Sequence, residues 1–195
     1  MPDLEEWVEV TIPIREIVGR LGWWLFAAAL LLYGTAFLVW GPPQLPAWPW
    51  TAEWLHEVGV SVGLLVVAYV VSVPVHEGLH AVGMMLTGTR LSEITFGARI
   101  LQGIVYVHCA APMPLSAYRT VLLLPVIVTG FLPAVVGIAV GNHWVTTYAY
   151  LMIVSAIGDL EMFRRLRPWP RDVIVRDHPS ELGCEVRVVR QGGDR

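Results

Sequence analysis

The sequence predicts an all-α polytopic membrane protein of about four transmembrane helices, with a short β-like segment and a small C-terminal β-hairpin. Three observations carry this. First, 55% of the 195 residues are hydrophobic and only 15% are charged, against about 45–50% and about 25% in ordinary soluble domains. Second, long segments carry no charge at all. Third, the arginines fall only in every second connection between the apolar runs, hence on one side, as the positive-inside rule requires of a chain that crosses a bilayer repeatedly.

The elements follow in order. Residues 1–22, which include MPDLEEWVEVTIPIRE, are acidic and amphipathic, unlike the basic start of a cleaved signal peptide. They are expected to be a retained cytoplasmic N-terminus. Residues 23–40 form the first expected span, with tryptophan at both ends as interfacial anchors. Residues 58–86 form the second, long enough to tilt or to project beyond an apolar layer that needs about 20 helical residues. Residues 121–140 and 144–163 complete the set. Between spans two and three, residues 91–113 are β-branched and aromatic, broken by Gly97 and Gly103, and read as a strand pair or irregular loop. Residues 172–195 form a tail in which VIV and CEVRVV flank the turn DHPSELG, the pattern of a hairpin. Residues 23–171 therefore read as one membrane domain with short appendages.

Orientation comes from arginine alone, because the chain has no lysine. The Pro- and Trp-rich loop after span one and the Gly141-Asn142-His143 turn lack arginine. Arg15, Arg20, Arg90, Arg99, Arg119, Arg164, Arg165, Arg167 and Arg171 all fall on the other side. Both termini are expected in the cytoplasm. A net charge of −3 gives nucleic acid no electrostatic footing. Cys109 and Cys184 stand 75 residues apart without CxxC spacing, so they read as ordinary thiols.

Span two contains SVPVHEGLHAVGMML, in which His76, Glu77 and His80 form HExxH. On a helix the two histidines share one face, one turn apart. Both imidazoles can then hold one Zn²⁺ while Glu77 takes a proton from the attacking water. With six histidines and eleven glutamates, chance places this motif in about one such chain in a hundred. A carboxylate at mid-membrane costs about 2.5–3.5 kcal/mol, which demands a partner or a wet cavity. The competing reading is a His/Glu cluster that only hydrogen-bonds between helices. Pro74 can kink the helix ahead of the motif, and Gly78, Ala81 and Gly83 let a neighbour approach closely.

A catalytic zinc takes three protein ligands and leaves a fourth position to water. His56 and His143 lie toward the opposite membrane face and read as loop histidines. Asp159, in AIGDL late in span four, shares the cytoplasmic half with the motif, and Gly158 would allow close approach. Alternatively, Asp159 pairs with Arg164 or Arg165. Glu161 is the other candidate ligand, nearer those arginines. His108 is a candidate lining residue, as a transition-state hydrogen-bond donor or a further ligand; the alternative is a satisfied interfacial histidine. Thr129, Asn142 and Ser155 read as ordinary polar residues of a helix bundle.

HExxH in a membrane helix followed by a carboxylate on a later helix resembles the site-2 protease group of intramembrane zinc metalloproteases. The chain is more closely similar to a small prokaryotic family described as "putative zincin peptidase". Its pattern is matched by His76-Glu77-x-x-His80, the Pro-containing helix AYRTVLLLP (117–125), Gly158-Asp159 and the segment Asp177 to Gly183. The resemblance covers roughly residues 58–185. It implies a zinc-dependent membrane peptidase with His76, His80 and Asp159 as ligands and Glu77 as catalytic base. Its partners would be the bilayer and a membrane-protein or peptide substrate, in a prokaryotic plasma membrane. Site-2 proteases present Asp-Gly where this chain has Gly158-Asp159-Leu160, so their substrate-binding features do not carry over. A second reading is a catalytically inactive metal-binding membrane protein with a regulatory or partner-binding role. Transport is disfavoured by the absence of an inverted repeat.

Overall fold

Long apolar runs become helices and short alternating runs become strands in the computed structural model, which describes residues 4–42, 51–99, 104–179 and 181–190. The Pro/Trp-rich stretch 43–50 and Gly103, both noted in the sequence, lie outside the described residues. In chain order the elements are β1 (Leu4–Thr11), α1 (Ile14–Trp40), α2 (Ala52–Leu86), β2 (Ile94–Arg99), β3 (Ile104–Cys109) and β4 (Met113–Pro114). Helix α3 (Leu115–Pro125) follows, passes through a π-helical turn at Val126–Phe131, and resumes as α4 (Leu132–Ala139). The last elements are α5 (His143–Ser155), α6 (Ile157–Leu166), β5 (Ile174–Asp177) and β6 (Gly183–Arg190).

Among the described residues, three helical stretches are long and apolar enough to cross a membrane: Arg15–Trp40, Ala52–Leu86 and Leu115–Ala139. Each reaches further than its expected span at the N-terminal end. The expected fourth span, 144–163, is divided. Helix α5 has 13 residues and α6 has 10, so at about 1.5 Å per residue neither covers a core of about 30 Å. The break falls at Ala156, whose ψ of 17° is not helical.

The chain forms two compact units. One comprises residues 1–19, 77–125 and 158–195. Its four-stranded antiparallel sheet has the order β1-β6-β5-β4, beside the β2–β3 hairpin. Period-two alternation turns Cys184 and Val186 of β6 inward with Val175 of β5, all 0% exposed, onto Leu115, Leu166 and Cys109. The expected hairpins at 91–113 and 172–190 are thus present. The N-terminus departs from expectation: its acidic segment is strand β1, paired with β6 from Leu4↔Arg190 to Thr11↔Gly183. A Cβ on Gly183 would lie 2.3 Å from the Val10 carbonyl oxygen, so only glycine lets the two strands close at that end.

The other unit comprises residues 20–76 and 126–157. Small residues let its helices approach: Ala28, Ala134 and Ala149 are buried with Leu32 and Ile153. Hydrogen bonds join its helices at Tyr33–Thr147 (2.9 Å), Trp40–Ile138 (2.7 Å), Tyr69–Ser155 (2.8 Å) and Ser72–Tyr148 (2.7 Å). Outward faces stay apolar, with Leu38, Leu64 and Val135 exposed. That pattern suits lipid and not water.

Candidate metal centre

Helix α2 runs unbroken through Pro74 and the motif, so His76 and His80 stand one turn apart on one helix, as the spacing predicts. The wall behind His80 is α3. Gly83 of α2 sits so close that a Cβ there would lie 3.1 Å from Val121 Cα. Ala81, one residue beyond His80, is 3% exposed.

This approach brings His80 Nδ1 to 3.0 Å from the Val121 carbonyl oxygen. Covalent chemistry explains why that oxygen is available. In an α-helix it would accept from the N–H four residues on, but that residue is Pro125, which has none. The imidazole supplies the missing donor. A carbonyl can only accept, so Nδ1 carries the hydrogen and Nε2 of the neutral ring presents a lone pair.

That lone pair faces Asp159. Nε2 and Oδ1 lie 3.4 Å apart, and Asp159 is held in the first turn of α6. Two electron-rich atoms at this distance require a cation between them, a proton or a metal ion. One ligand atom from each of His76, His80 and Asp159 lies within 4.8 Å of the others. Two imidazoles and a carboxylate are a donor set suited to zinc and match a catalytic site with one position left open. The residues therefore fit the metal. The orientation of His80 by a backbone carbonyl is the outer-shell arrangement typical of metal-binding histidine.

His76 is 9% exposed, and its Nδ1 lies 3.5 Å from the hydroxyl of Thr129, itself 5% exposed. Thr129 belongs to the π-helical turn, a feature frequent at functional sites. The sequence reads Thr129 as an ordinary polar residue of a helix bundle; the signal for more was Pro125, which disturbs the helix just ahead of it. Glu77 is part-buried on the same helix as both histidines.

The other candidates fall elsewhere. His56 is exposed near the start of α2, about 36 Å along the helix from His80 at 1.5 Å per residue. His143 opens α5, where Asn142 caps the helix by accepting from the N–H groups of Trp144 (3.0 Å) and Val145 (3.1 Å). Glu161 is 2% exposed and bound by Arg164 at 2.6 and 2.8 Å and by Arg165 at 3.3 Å. That leaves Asp159 as the carboxylate of the metal group. Gly158 has no close neighbour, since a Cβ there would meet nothing within 4 Å; the expected close approach does not occur.

His108 lies on β3 opposite Thr95 and is not in the metal group. Its Nδ1 stands 3.8 Å from Asp177. Asp177 accepts from the Cys109 N–H (2.8 Å) and the Tyr118 hydroxyl (2.9 Å), tying β3, α3 and β5 together. Burial raises its carboxyl above the usual range; the two donors, His108 and His80 pull the other way. Asp177 is thus within electrostatic reach of His80.

A second group, Glu9, His178 and Glu185, also has close ligand atoms. There Nδ1 of His178 accepts from the Glu181 N–H at 2.8 Å. Its Nε2 therefore keeps the hydrogen, directed to Glu9 at 3.7 Å. Glu185 is paired with Arg176. This group reads as a salt-bridged strand contact in which the lone pair of His178 Nδ1 is already engaged.

The chain is 31% identical over 115 residues to an uncharacterized 24.7 kDa protein in the gap 5' region of Pyrococcus woesei, covering 58% of this chain and 50% of that protein. The chain thus spans about half the length of this curated relative. No solved structure matches significantly. A family model described as "Putative zincin peptidase" matches residues 69–174, which include the motif, the Val121 wall and Asp159. That stretch is more than half of the chain, which therefore belongs to this zincin peptidase family.

Proposed function

We propose that the protein is a zinc-dependent intramembrane or membrane-associated metallopeptidase of site-2 protease-like type, acting from the cytoplasmic half of the bilayer on membrane-protein or peptide substrates. The observation that carries this is the approach of His80 Nε2 to Asp159 Oδ1 at 3.4 Å, one helical turn from His76. Family membership supports the peptidase assignment. His76, His80 and Asp159 would hold Zn²⁺. Bound there, the ion supplies Lewis acidity, polarising the scissile carbonyl and lowering the pKa of water toward about 7.

The chain's own residues do the rest. Val121 fixes the tautomer of His80 and Thr129 braces His76, so both rings are oriented before substrate arrives. Glu77, as general base, takes the proton of the attacking water and returns it to the leaving amine. His108, beside Asp177 at 3.8 Å, would line the approach to the site.

The purified full chain is expected to contain about one equivalent of zinc. Glu77→Gln should keep the metal and lose hydrolysis of co-expressed membrane substrates. Metal-free protein, or a Glu77→Gln variant with undiminished hydrolysis, overturns the peptidase reading. A variant whose zinc and cellular phenotype both persist supports instead a structural metal in a regulatory protein.

A further inference from the structure

Two backbone hydrogen bonds and the guanidinium of Arg119 tie the turn after α6 to the start of the helical stretch Leu115–Ala139. The Leu115 N–H donates to the Val173 carbonyl (2.8 Å) and the Ser116 N–H to the Arg171 carbonyl (3.0 Å). Arg119 Nη2 donates to the carbonyls of Leu166 (2.7 Å) and Trp169 (3.1 Å), with Arg167 at 3.3 Å. Arg119 is about one turn, roughly 6 Å, inside that stretch. If Leu115–Ala139 crosses a bilayer, the turn 166–173 is pinned at headgroup level.

The side chains in that turn divide sharply. Trp169 is half-buried against the core, while Arg167, Pro168, Pro170 and Arg171 are exposed. Arg164 is occupied by Glu161, and Arg165 by Glu161 and Glu16. Among the described residues neither Arg167 nor Arg171 is in an ion pair; Asp172, also exposed, is the next residue in the chain. Two prolines stiffen the backbone between the two guanidinium groups. Exposed arginines outside any ion pair among the described residues, on a rigid turn anchored to the core by Trp169, match a phosphate carried at the membrane surface.

We infer that the turn Arg167–Arg171 is a binding surface for anionic phospholipid headgroups. It rests on the reading that Leu115–Ala139 spans the bilayer, and it is independent of the metal chemistry. The turn directly follows α6, the helix that carries Asp159.

The test uses the delipidated full chain equilibrated with equimolar phosphatidylglycerol and phosphatidylcholine, with retained lipids counted by native mass spectrometry. Phosphatidylglycerol should be retained preferentially. The preference should fall by roughly fivefold per arginine in Arg167→Gln and Arg171→Gln and further in the double variant. Arg171→Lys should keep most of it, and Arg90→Gln all of it. No preference in the wild type, an unchanged preference in the double variant, an equal loss in Arg90→Gln, or displacement by millimolar glycerol phosphate would each overturn the inference. Extraction from neutral phosphatidylcholine vesicles by alkaline carbonate would instead remove the membrane span on which it rests.

Discussion

Gly83 is the position at which a small change should reach the metal centre without touching a ligand. An added Cβ would stand 3.1 Å from Val121 Cα and 3.5 Å from Val121 Cγ2 and Leu124 Cδ2. The nearest atom is backbone and cannot rotate away, so α2 and α3 must separate by a few tenths of an ångström. The His80–Val121 bond, now 3.0 Å, would stretch toward the limit at which such bonds fail. The bond itself is worth about 0.5–1.5 kcal/mol, and losing an outer-shell partner typically lowers metal affinity about 10–100-fold. In Gly83→Ala, a helix-propensity gain of about 1 kcal/mol offsets the strain. Thermal stability should therefore hold while zinc affinity drops several-fold. Gly83→Val adds two methyl groups to the same wall, costing about 1–3 kcal/mol of stability and at least tenfold in affinity. Zinc competition against a chromophoric chelator, with thermal unfolding measured on the same detergent samples, separates the two effects. Wild-type zinc affinity in Gly83→Val would refute the role given to the α2–α3 contact.

Three further outcomes follow from side chains away from the ligands. Burial, then the charges of Asp177 and Glu185, push the Cys184 thiol up to about 12 from 9.0. The folded state thus favours the neutral thiol, and that contribution is complete below pH 9 and lost as pH climbs toward 12. About 4 kcal/mol is at stake, so Cys184→Ala should show a shallower loss of unfolding stability between pH 9 and 11 than the parent; an unchanged slope would contradict this. Glu161→Gln strips the carboxylate from Arg164 and Arg165 and should cost about 1–3 kcal/mol in denaturant unfolding. That is less than a fully buried pair, because Arg164 is 49% exposed; a cost near zero counts against the network. Gly158→Ala meets open space and should gain up to about 1 kcal/mol in helix stability with zinc affinity unchanged, whereas weakened binding would show that Asp159 needs a glycine beside it.

How much of this was legible in the sequence depends on what kind of signal each feature leaves. His76 and His80 were legible because a four-residue spacing in an apolar helix has one geometric meaning. Asp159 was singled out because arginine asymmetry puts it on the same expected side as the motif, and its Oδ1 lies 3.4 Å from His80 Nε2. Strand β1 was not, because LEEWVEVT fits an amphipathic helix as well as a strand, and its partner β6 lies more than 170 residues away. The division of 144–163 was hidden because hydropathy sums composition across Ala156 and does not encode helical continuity. The group that orients His80 was the least visible, since it is a main-chain carbonyl, which no residue type announces. Yet its availability is written in the chain. Pro125 lies four residues after Val121, and a proline there deprives that carbonyl of its helical donor. A proline inside an apolar helix is usually read as a kink. Opposite an HExxH helix it is better read as an acceptor released for a histidine, and the register of that acceptor selects which histidine nitrogen is left to face Asp159.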